Sequence, residues 1–413
     1  MKIRKVISII TLMLIGELIF LLPFVVTRIF RPTFLKVFDI NNLQLGTAFS
    51  LYGIVAMVAY FVGGPIADRF SPRKLLPTAI LATSLGGFLM ATIPSIYTLS
   101  LLYGFWGVTT ILLFWASYVK AQRELGGDQR QGRAFGAIDA GRGFVAAAIA
   151  SSSVFLLDAF LPVSADDATV SQLSSSLSTI ILIFSAFTAF GAVMVWFFLP
   201  SDMSGKSDQR LSLSGVKLAL KKRTVWFQSF ILLCGYVGYK CTDDFSLYAN
   251  VALGYNDVDA AHLAALSFWI RPIAAIAAGL LGDYFLHSKM VMICFVIMLL
   301  GSLVISTGIL QPGMETFIII TITSTSVGIY GLRGLYYALF QEAKLPLVVT
   351  GSAAGVVSVI GYTPDVFMGP LMGWVLDSNP GAIGHQYLFT VLAAFSSLGF
   401  VFSLLFRHFS KLN

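Results

Sequence analysis

The chain of 413 residues is 57% hydrophobic and only 11% charged, with 35 Phe and a mean hydropathy of +0.84. Soluble domains carry about 25% charged residues, so the composition excludes an ordinary soluble protein and predicts an integral membrane protein. The net charge of +7 does not indicate nucleic acid binding, because the basic residues collect in the polar segments on one side of the predicted spans.

Twelve long apolar segments follow one another along the chain. A helix that crosses a bilayer needs about 20 mainly apolar residues, so the predicted fold is an all-α membrane protein with twelve transmembrane helices. We interpret the first segment as an uncleaved helix, because no small-residue cleavage site precedes a soluble domain. The predicted spans are 6–27, 43–67, 75–93, 97–119, 133–157, 177–199, 225–250, 260–284, 290–310, 315–341, 347–375 and 385–406.

The charges of the connecting segments predict the orientation. Most basic residues lie on the side of the N-terminus, whereas the opposite loops carry only two bases, Arg31 and Lys36. The positive-inside rule then places both termini in the cytoplasm of a bacterial cell, with the chain crossing the inner membrane many times. The acids of the opposite loops are Asp158, Asp166, Asp167, Asp257 and Asp259.

Three short motifs recur at a nearly constant offset, which predicts one six-helix unit used twice. The expected domains are an N-terminal bundle at 1–200, a cytoplasmic linker at 201–223 that ends in a short amphipathic helix, and a C-terminal bundle at 224–413. The two bundles are expected to be pseudo-symmetric. The matching motifs are Gly64-x-x-x-Asp68 with Gly279-x-x-x-Asp283, Tyr118 and Glu124 with Tyr336 and Glu342, and Gly132-x-x-x-Gly136 with Gly351-x-x-x-Gly355.

The segment GGPIADRFSPRK after the second span resembles the signature G-x-x-x-D-R-x-G-R-R of the major facilitator superfamily, with Ser71 where glycine is usual. The resemblance covers the whole chain and implies two bundles that rock about a central site. Gly64 is expected to allow close helix contact, and Asp68 to meet the positive end of a helix from the other bundle and latch the outward-open state. An alternative is that Arg69, Arg73 and Lys74 only set topology. Asp283 is the repeat counterpart of Asp68.

Ten charged residues lie inside the predicted spans, where each costs about 2.5 to 3.5 kcal/mol at the bilayer centre. Such residues are expected to face a hydrated cavity. Because five of them are basic and five are acidic, the cavity is predicted to carry almost no net charge. Two sets can neutralise themselves along one helix: Asp139 with Arg142, and Lys240 with Asp243 and Asp244. The candidate substrate-binding residues are Arg28, Arg142, Lys240, Arg271 and Arg333, and the candidate proton-coupling residues are Glu17, Asp139, Asp243, Asp244 and Asp365.

Asp365 is attractive as the proton carrier because it follows Pro364, which interrupts the backbone hydrogen bonds and lets water approach. Glu17 and Asp139 are equally suitable candidates for the proton carrier. A fixed pairing of Asp365 with Arg333 is the alternative. Tyrosines and tryptophans near the predicted centre, among them Trp115, Tyr236 and Tyr239, either line the cavity or pack.

The first two spans are also similar to the organophosphate branch of the superfamily, which includes glycerol-3-phosphate transporters. That resemblance implies a phosphate held by a helix-one arginine, here Arg28, and by a basic residue of helix seven, here Lys240. The chain departs from the branch in having lysine on helix seven, a shorter link after helix one and more buried carboxylates.

No catalytic or metal-binding motif stands out, so we expect no enzyme, no cofactor and no metal. The leading hypothesis is a monomeric transporter that takes up a small organic anion (a carboxylate, or a phosphorylated or sulfonated metabolite) together with a proton, by alternating access. The alternatives are a proton-antiport efflux pump for a drug or metabolite, and a metabolite sensor that does not transport. Efflux pumps of the superfamily usually carry a motif rich in glycine and proline on helix five. The corresponding segment here, GRAFGAIDAGRGFVAAAIA, has no proline, which disfavours efflux.

Overall fold

A computed structural model describes residues 2–126, 131–200, 213–343 and 347–412, and all regular secondary structure in these ranges is helical. Twelve long helical segments succeed one another, as predicted. We number them α1 (Lys2–Phe20, Leu21–Val25 and Val26–Ile29), α2 (Asn42–Arg69), α3 (Pro72–Met90), α4 (Ile96–Gly107, Val108–Trp115 and Ala116–Gly126), α5 (Gln131–Phe160), α6 (Val170–Phe198), α7 (Arg223–Cys241, Thr242–Asp244 and Phe245–Leu253), α8 (Asp257–Phe285), α9 (His287–Ser306), α10 (Glu315–Leu335 and Leu339–Glu342), α11 (Leu347–Gly361 and Pro364–Ser378) and α12 (Ala382–Leu412).

The structure corrects the continuity of several predicted spans. Within the described ranges, nine helices are long and apolar enough to cross a membrane by length and composition, and α3, α7 and α11 are not among them. α7 changes to a 3-10 turn at Thr242–Asp244, and α11 breaks before Pro364. α1 and α4 each contain a π-helical stretch, Leu21–Val25 and Val108–Trp115. Such irregular turns are frequent at functional sites.

In the described ranges, two short helices lie outside the twelve. Arg31–Phe38 follows α1, and the sequence pattern does not predict it. Leu213–Leu220 precedes α7 and corresponds to the predicted linker helix, whereas residues 201–212 of the linker lie outside the described part of the chain. We call the side of the membrane that holds the chain ends and the Leu213–Leu220 helix the terminal face, and the opposite side the distal face.

The packed interior follows the two halves of the chain. Buried apolar side chains of the C-terminal half form one cluster that runs from Ala219 to Phe406. Those of the N-terminal half form two clusters, and the larger one also takes in Val258, Ala261, Ala265 and Phe268 of α8. α8 is therefore packed into both halves, and α5 is its principal neighbour across the boundary.

Polar contacts join the halves on the distal face, and we call this set of contacts the distal seam. Lys36 and Thr33 from the N-terminal half reach Asp257 at the start of α8, with Nζ–Oδ1 at 2.6 Å and Oγ1–Oδ2 at 2.9 Å. Asp377 at the end of α11 accepts from the backbone N–H of Leu43 at 2.7 Å and of Asn42 at 3.2 Å.

The Asp377 contact completes the cap of α2. The first backbone N–H groups of a helix have no partner within the helix. Asn41 is the N-cap of α2, and its side chain accepts from the backbone N–H of Gln44. Asp377 of the other half accepts from the backbone N–H groups of Asn42 and Leu43. A carboxylate at this position also meets the positive end of the helix dipole.

Glycines let α2 and α11 approach backbone to backbone below the seam. A Cβ at Gly46 would overlap the carbonyl oxygen of Gly369, and one at Gly53 would overlap the backbone of Asp365. Close glycine-mediated contact is a common way for membrane helices to pack.

On the terminal face, the repeated glycine motifs have no close described neighbours. A Cβ built at Gly64, Gly279 or Gly355 would meet no described atom within 4 Å. Among the described atoms, the close helix contact expected at Gly64 is therefore not made, and the side chain of Asp68 lies outside the described set. Arg69, Lys74 and Asp283 are exposed, and the latch remains a prediction for the opposite conformation.

Candidate functional site

A cavity of about 110 Å³ lies between the two halves. All five predicted substrate-binding bases line it, together with two of the five predicted acids, Glu17 and Asp365. Aromatic side chains form most of the remaining wall. The bases come from α1, α5, α7, α8 and α10, so both halves contribute to the site. The bases are Arg28, Arg142, Lys240, Arg271 and Arg333.

Helical spacing explains why α1 and α7 present polar groups to one place. Residues three, four and seven apart share one face of a helix. On α1 this face carries Glu17, Phe24 and Arg28, and on α7 it carries Tyr236 and Lys240. The π-helical turn of α1 lies between Glu17 and Arg28 and adjusts the direction of the arginine relative to the carboxylate.

Glu17 is held by two arginines from different helices. Its two oxygens accept from Arg271 Nη1 at 3.0 Å and Nη2 at 3.3 Å, and Arg142 Nη2 lies 3.5 Å away. All three side chains are buried. The two-pronged geometry with Arg271 suits a guanidinium and a carboxylate. Glu17 has no neighbour of opposite charge on its own helix, and the nearer of its two partners, Arg271, comes from the other half of the chain.

Asp243 is likewise engaged across the halves. Arg28 Nε lies 2.5 Å from Asp243 Oδ1, while Lys240 Nζ is 3.6 Å from Oδ2. The sequence predicts neutralisation between Lys240 and Asp243 along α7, and the structure adds the shorter contact with α1. Asp243 does not line the cavity, so it acts from behind Arg28.

Asp365 lies in the first turn after the break in α11. Its carboxylate is 3.5 Å from Lys240 Nζ and accepts from the Tyr236 hydroxyl at 3.1 Å. The alternative that Asp365 is a fixed partner of Arg333 does not hold, because its basic partner is Lys240. With 16% of its side chain exposed to the cavity, Asp365 is more accessible than Glu17 at 5%.

Arg333 differs from the other four bases. No hydrogen bond or ion pair connects it to any residue in the described ranges, and its guanidinium carbon lies 4.1 Å from the centroid of the Tyr239 ring. A cation over an aromatic face gains about 0.5 to 2 kcal/mol, and this contact uses none of the N–H donors of the guanidinium. Arg333 therefore keeps its hydrogen-bond donors available to the cavity.

The predicted balance of five bases and five acids is wrong for this cavity. Asp244 is fully buried, pairs with His385 Nδ1 at 2.7 Å and does not line the cavity. Asp139 is largely exposed and lies 3.5 Å from Arg142. Counting Asp139 and Asp243 with the two lining acids leaves four carboxylates for five bases, so one positive charge is in excess, and it is that of Arg333.

The sequence pattern leaves part of the aromatic wall unpredicted. Tyr52 and Tyr60 line the cavity from α2, and Tyr362 lines it from the break in α11. Tyr60 and Tyr362 stack across the halves with ring centroids 6.5 Å apart. The spacing of Tyr52, Ala56 and Tyr60 on one helical face is a signal that could have identified the pair on α2.

A profile of the Major Facilitator Superfamily matches residues 8–363. The chain belongs to this superfamily. It is a multi-pass membrane transporter rather than an enzyme, and its twelve helices form the two pseudo-symmetric bundles of the fold.

Relatives and solved structures agree with this assignment. The chain is 27% identical over 394 residues to the inner membrane protein YqcE of Escherichia coli K12, covering 93% of this chain and 90% of YqcE. It is 26% identical to the inner membrane protein YihN of the same organism, covering 95% and 93%. A point mutant of the nucleoside transporter NupG has a TM-score of 0.74 at 14% identity, covering 98% and 99%, and a D-xylose-proton symporter has 0.73 at 13%, covering 97% and 96%.

Proposed function

We propose that this transporter carries a small organic anion across the bacterial inner membrane, with a proton moving in the same direction. The observation that carries the proposal is Arg333, a partly buried cation that faces the cavity without an acidic partner among the described residues. Charge inside a membrane protein is costly unless it is paired. An anionic substrate supplies the missing partner.

The aromatic wall suits the rest of such a substrate. Tyrosine side chains offer apolar ring faces together with hydroxyl groups, and Tyr52, Tyr60, Tyr236 and Tyr362 all line the cavity. A carboxylate, sulfonate or phosphate on a small polar body matches this combination. The similarity to the organophosphate branch supports the same class, although Arg28 and Lys240 are both engaged by carboxylates here.

The coupling proposal rests on Asp365. Protonation of this carboxylate removes the partner of Lys240 at 3.5 Å and raises the excess positive charge of the cavity from one to two. An anion is then bound more tightly, and by linkage a bound anion favours the protonated form of Asp365. This reciprocity is the minimum requirement for moving the two together.

The basic residues of the terminal face and the names of the E. coli relatives support an inner-membrane protein with both termini in the cytoplasm. In that orientation the distal seam closes the periplasmic side. We propose that the structure corresponds to an inward-facing state, that the boundary between the halves lies at 201–223, and that the monomer is the transporting unit.

The test is a binding screen on the purified full-length protein by thermal unfolding. Sugar sulfates, sugar phosphates and hydroxy acids are compared with neutral sugars of the same size. We expect stabilisation by anions only, and its loss in Arg333→Ala, because the unpaired guanidinium is removed. Arg223→Ala, which deletes a charge that stacks on Phe409 near the terminal face, is the matched control and should keep the response. Stabilisation by anions that survives Arg333→Ala, or by neutral sugars alone, would contradict the proposal.

Transport itself is measured with the strongest ligand in proteoliposomes. Uptake should rise when a proton gradient is imposed in the same direction. Uptake that does not change with the gradient would contradict proton coupling, while transport of an anion would still stand.

A further inference from the structure

Asp243 lies where the cavity meets the distal seam. Its Oδ1 accepts from Arg28 Nε at 2.5 Å, and its backbone carbonyl accepts from Arg31 Nη1 at 3.3 Å. Both arginines belong to the N-terminal half, whereas Asp243 belongs to the 3-10 turn of α7 in the C-terminal half. One residue thus joins the halves through its side chain and its backbone.

Arg28 and Arg333 both line the cavity, and both lie against the ring of Tyr239. Arg28 Nη1 donates to the Tyr239 hydroxyl at 3.0 Å. The guanidinium carbons of Arg28 and Arg333 lie 4.5 and 4.1 Å from the centroid of the same Tyr239 ring, so they are within about 9 Å of each other. Both guanidinium groups border the same cavity, so an anion that binds there at Arg333 is also placed to compete for Arg28 through charge-assisted hydrogen bonds.

We infer that Asp243 is an internal anion that holds Arg28 while the cavity is empty, and that the anionic group of the substrate competes with Asp243 for this arginine. The inference rests on the proposed function, since it requires an anion at Arg333. An anion between Arg28 and Arg333 draws Arg28 away from Asp243, and the boundary next to the distal seam then loses an ion pair. Opening of the distal face thereby depends on occupancy of the cavity.

The surroundings make this exchange feasible. A buried charge that loses its partner destabilises a protein strongly, but Asp243 retains Lys240 Nζ at 3.6 Å when Arg28 leaves. The Glu17–Arg271 pair also joins the halves, yet it lies about three helical turns further from the seam along α1. Asp243 is therefore a positioning residue for Arg28, and the proton-coupling role considered for it from the sequence is not needed.

The first experiment measures binding of sodium sulfate, the smallest probe of the arginine pair, by thermal unfolding of the purified full-length protein. Asp243→Asn should tighten sulfate binding by about tenfold, the lower end expected when one charge-assisted hydrogen bond becomes available. Asp365→Asn makes the same change in charge without releasing Arg28 and should give a smaller gain. Asp243→Glu keeps the carboxylate and should bind sulfate like the parent.

The second experiment reports on the distal face. Ala261 of α8 is fully buried and packs in the core of the N-terminal half, so a cysteine there reacts with an impermeant maleimide only when the halves separate. The reporter Ala261→Cys is placed in a background in which the native cysteines are changed to alanine. Sulfate should speed labelling several-fold in this parent, while Asp243→Asn should label fast without sulfate and show no further response.

Asp244→Asn is the control for the labelling experiment, because Asp244 neighbours Asp243 in the same turn but pairs with His385 away from the cavity. It should leave the sulfate response intact. Sulfate affinity in Asp243→Asn that is no higher than in Asp365→Asn, together with slow labelling, would overturn the inference. If sulfate binding by the parent protein nevertheless depends on Arg333, the proposed function stands while the inference fails. Failure of sulfate to stabilise both the parent and Asp243→Asn would count against the inference, while anion binding by the transporter would still be decided by the Arg333→Ala screen.

Discussion

Replacement of Asp377 by alanine should release the distal seam. Asp377 accepts three hydrogen bonds from the start of α2: from the backbone N–H of Leu43 at 2.7 Å and of Asn42 at 3.2 Å, and from the Asn42 side chain at 3.0 Å. All three donors sit at a helix end in the other half. In a distal-open conformation the donors and the carboxylate are separated and hydrated, so the substitution acts mainly on the closed conformation.

The size of the effect follows from these contacts. Because the donors recover water when the carboxylate is removed, the loss is comparable with that of a helix cap, which costs about 0.5 to 2 kcal/mol in total. We therefore expect Asp377→Ala to shift the equilibrium by about 1 to 2 kcal/mol toward the distal-open state, a change of about 5- to 30-fold in the ratio of the two conformations.

The assay is the rate of maleimide labelling of the Ala261→Cys reporter, measured with and without Asp377→Ala. The rate should rise by a similar factor if labelling follows the open population. Asp167→Ala is the control, because Asp167 accepts from Ser164 in a distal loop of one half only, and it should have no effect. An unchanged rate in Asp377→Ala would show that the seam does not depend on this cap.

Three further outcomes are expected. Glu17→Gln should lower the free energy of unfolding by about 3 kcal/mol, since it leaves the buried Arg271 without its carboxylate and Arg142 with Asp139 alone, and denaturation in detergent measures it. Gly369→Val should force the facing α2 backbone away and speed labelling of the Ala261→Cys reporter. Gly279→Val is the control, because a Cβ there meets no described atom within 4 Å, and it should not change the labelling rate. Equal labelling rates in the two variants would refute the backbone contact. Asp365→Asn should make substrate uptake independent of the proton gradient, while Asp283→Asn at the terminal face should leave this dependence intact. If Asp365→Asn still responds to the gradient, Asp365 is not the proton carrier.

The class of protein could be predicted because it depends on composition and on segment length. Apolar runs of about 20 residues have few stable alternatives to membrane-spanning helices. The break before Pro364 could also be anticipated, because proline removes a backbone donor and restricts the residue before it. The 3-10 turn at Thr242–Asp244 has no comparable local signal, and the apolar pattern there predicts one continuous helix.

The sequence by itself determined that charged side chains lie within the membrane and which helix carries each. Only the tertiary structure decided their partners, since Glu17 meets Arg271 and Arg28 meets Asp243 through the packing of α1 against helices of the other half. Asp243 and Asp244 show the reason most directly. With three residues per turn in a 3-10 segment, neighbouring side chains point about 120° apart, so Asp243 faces α1 and the cavity boundary while Asp244 faces His385 of α12.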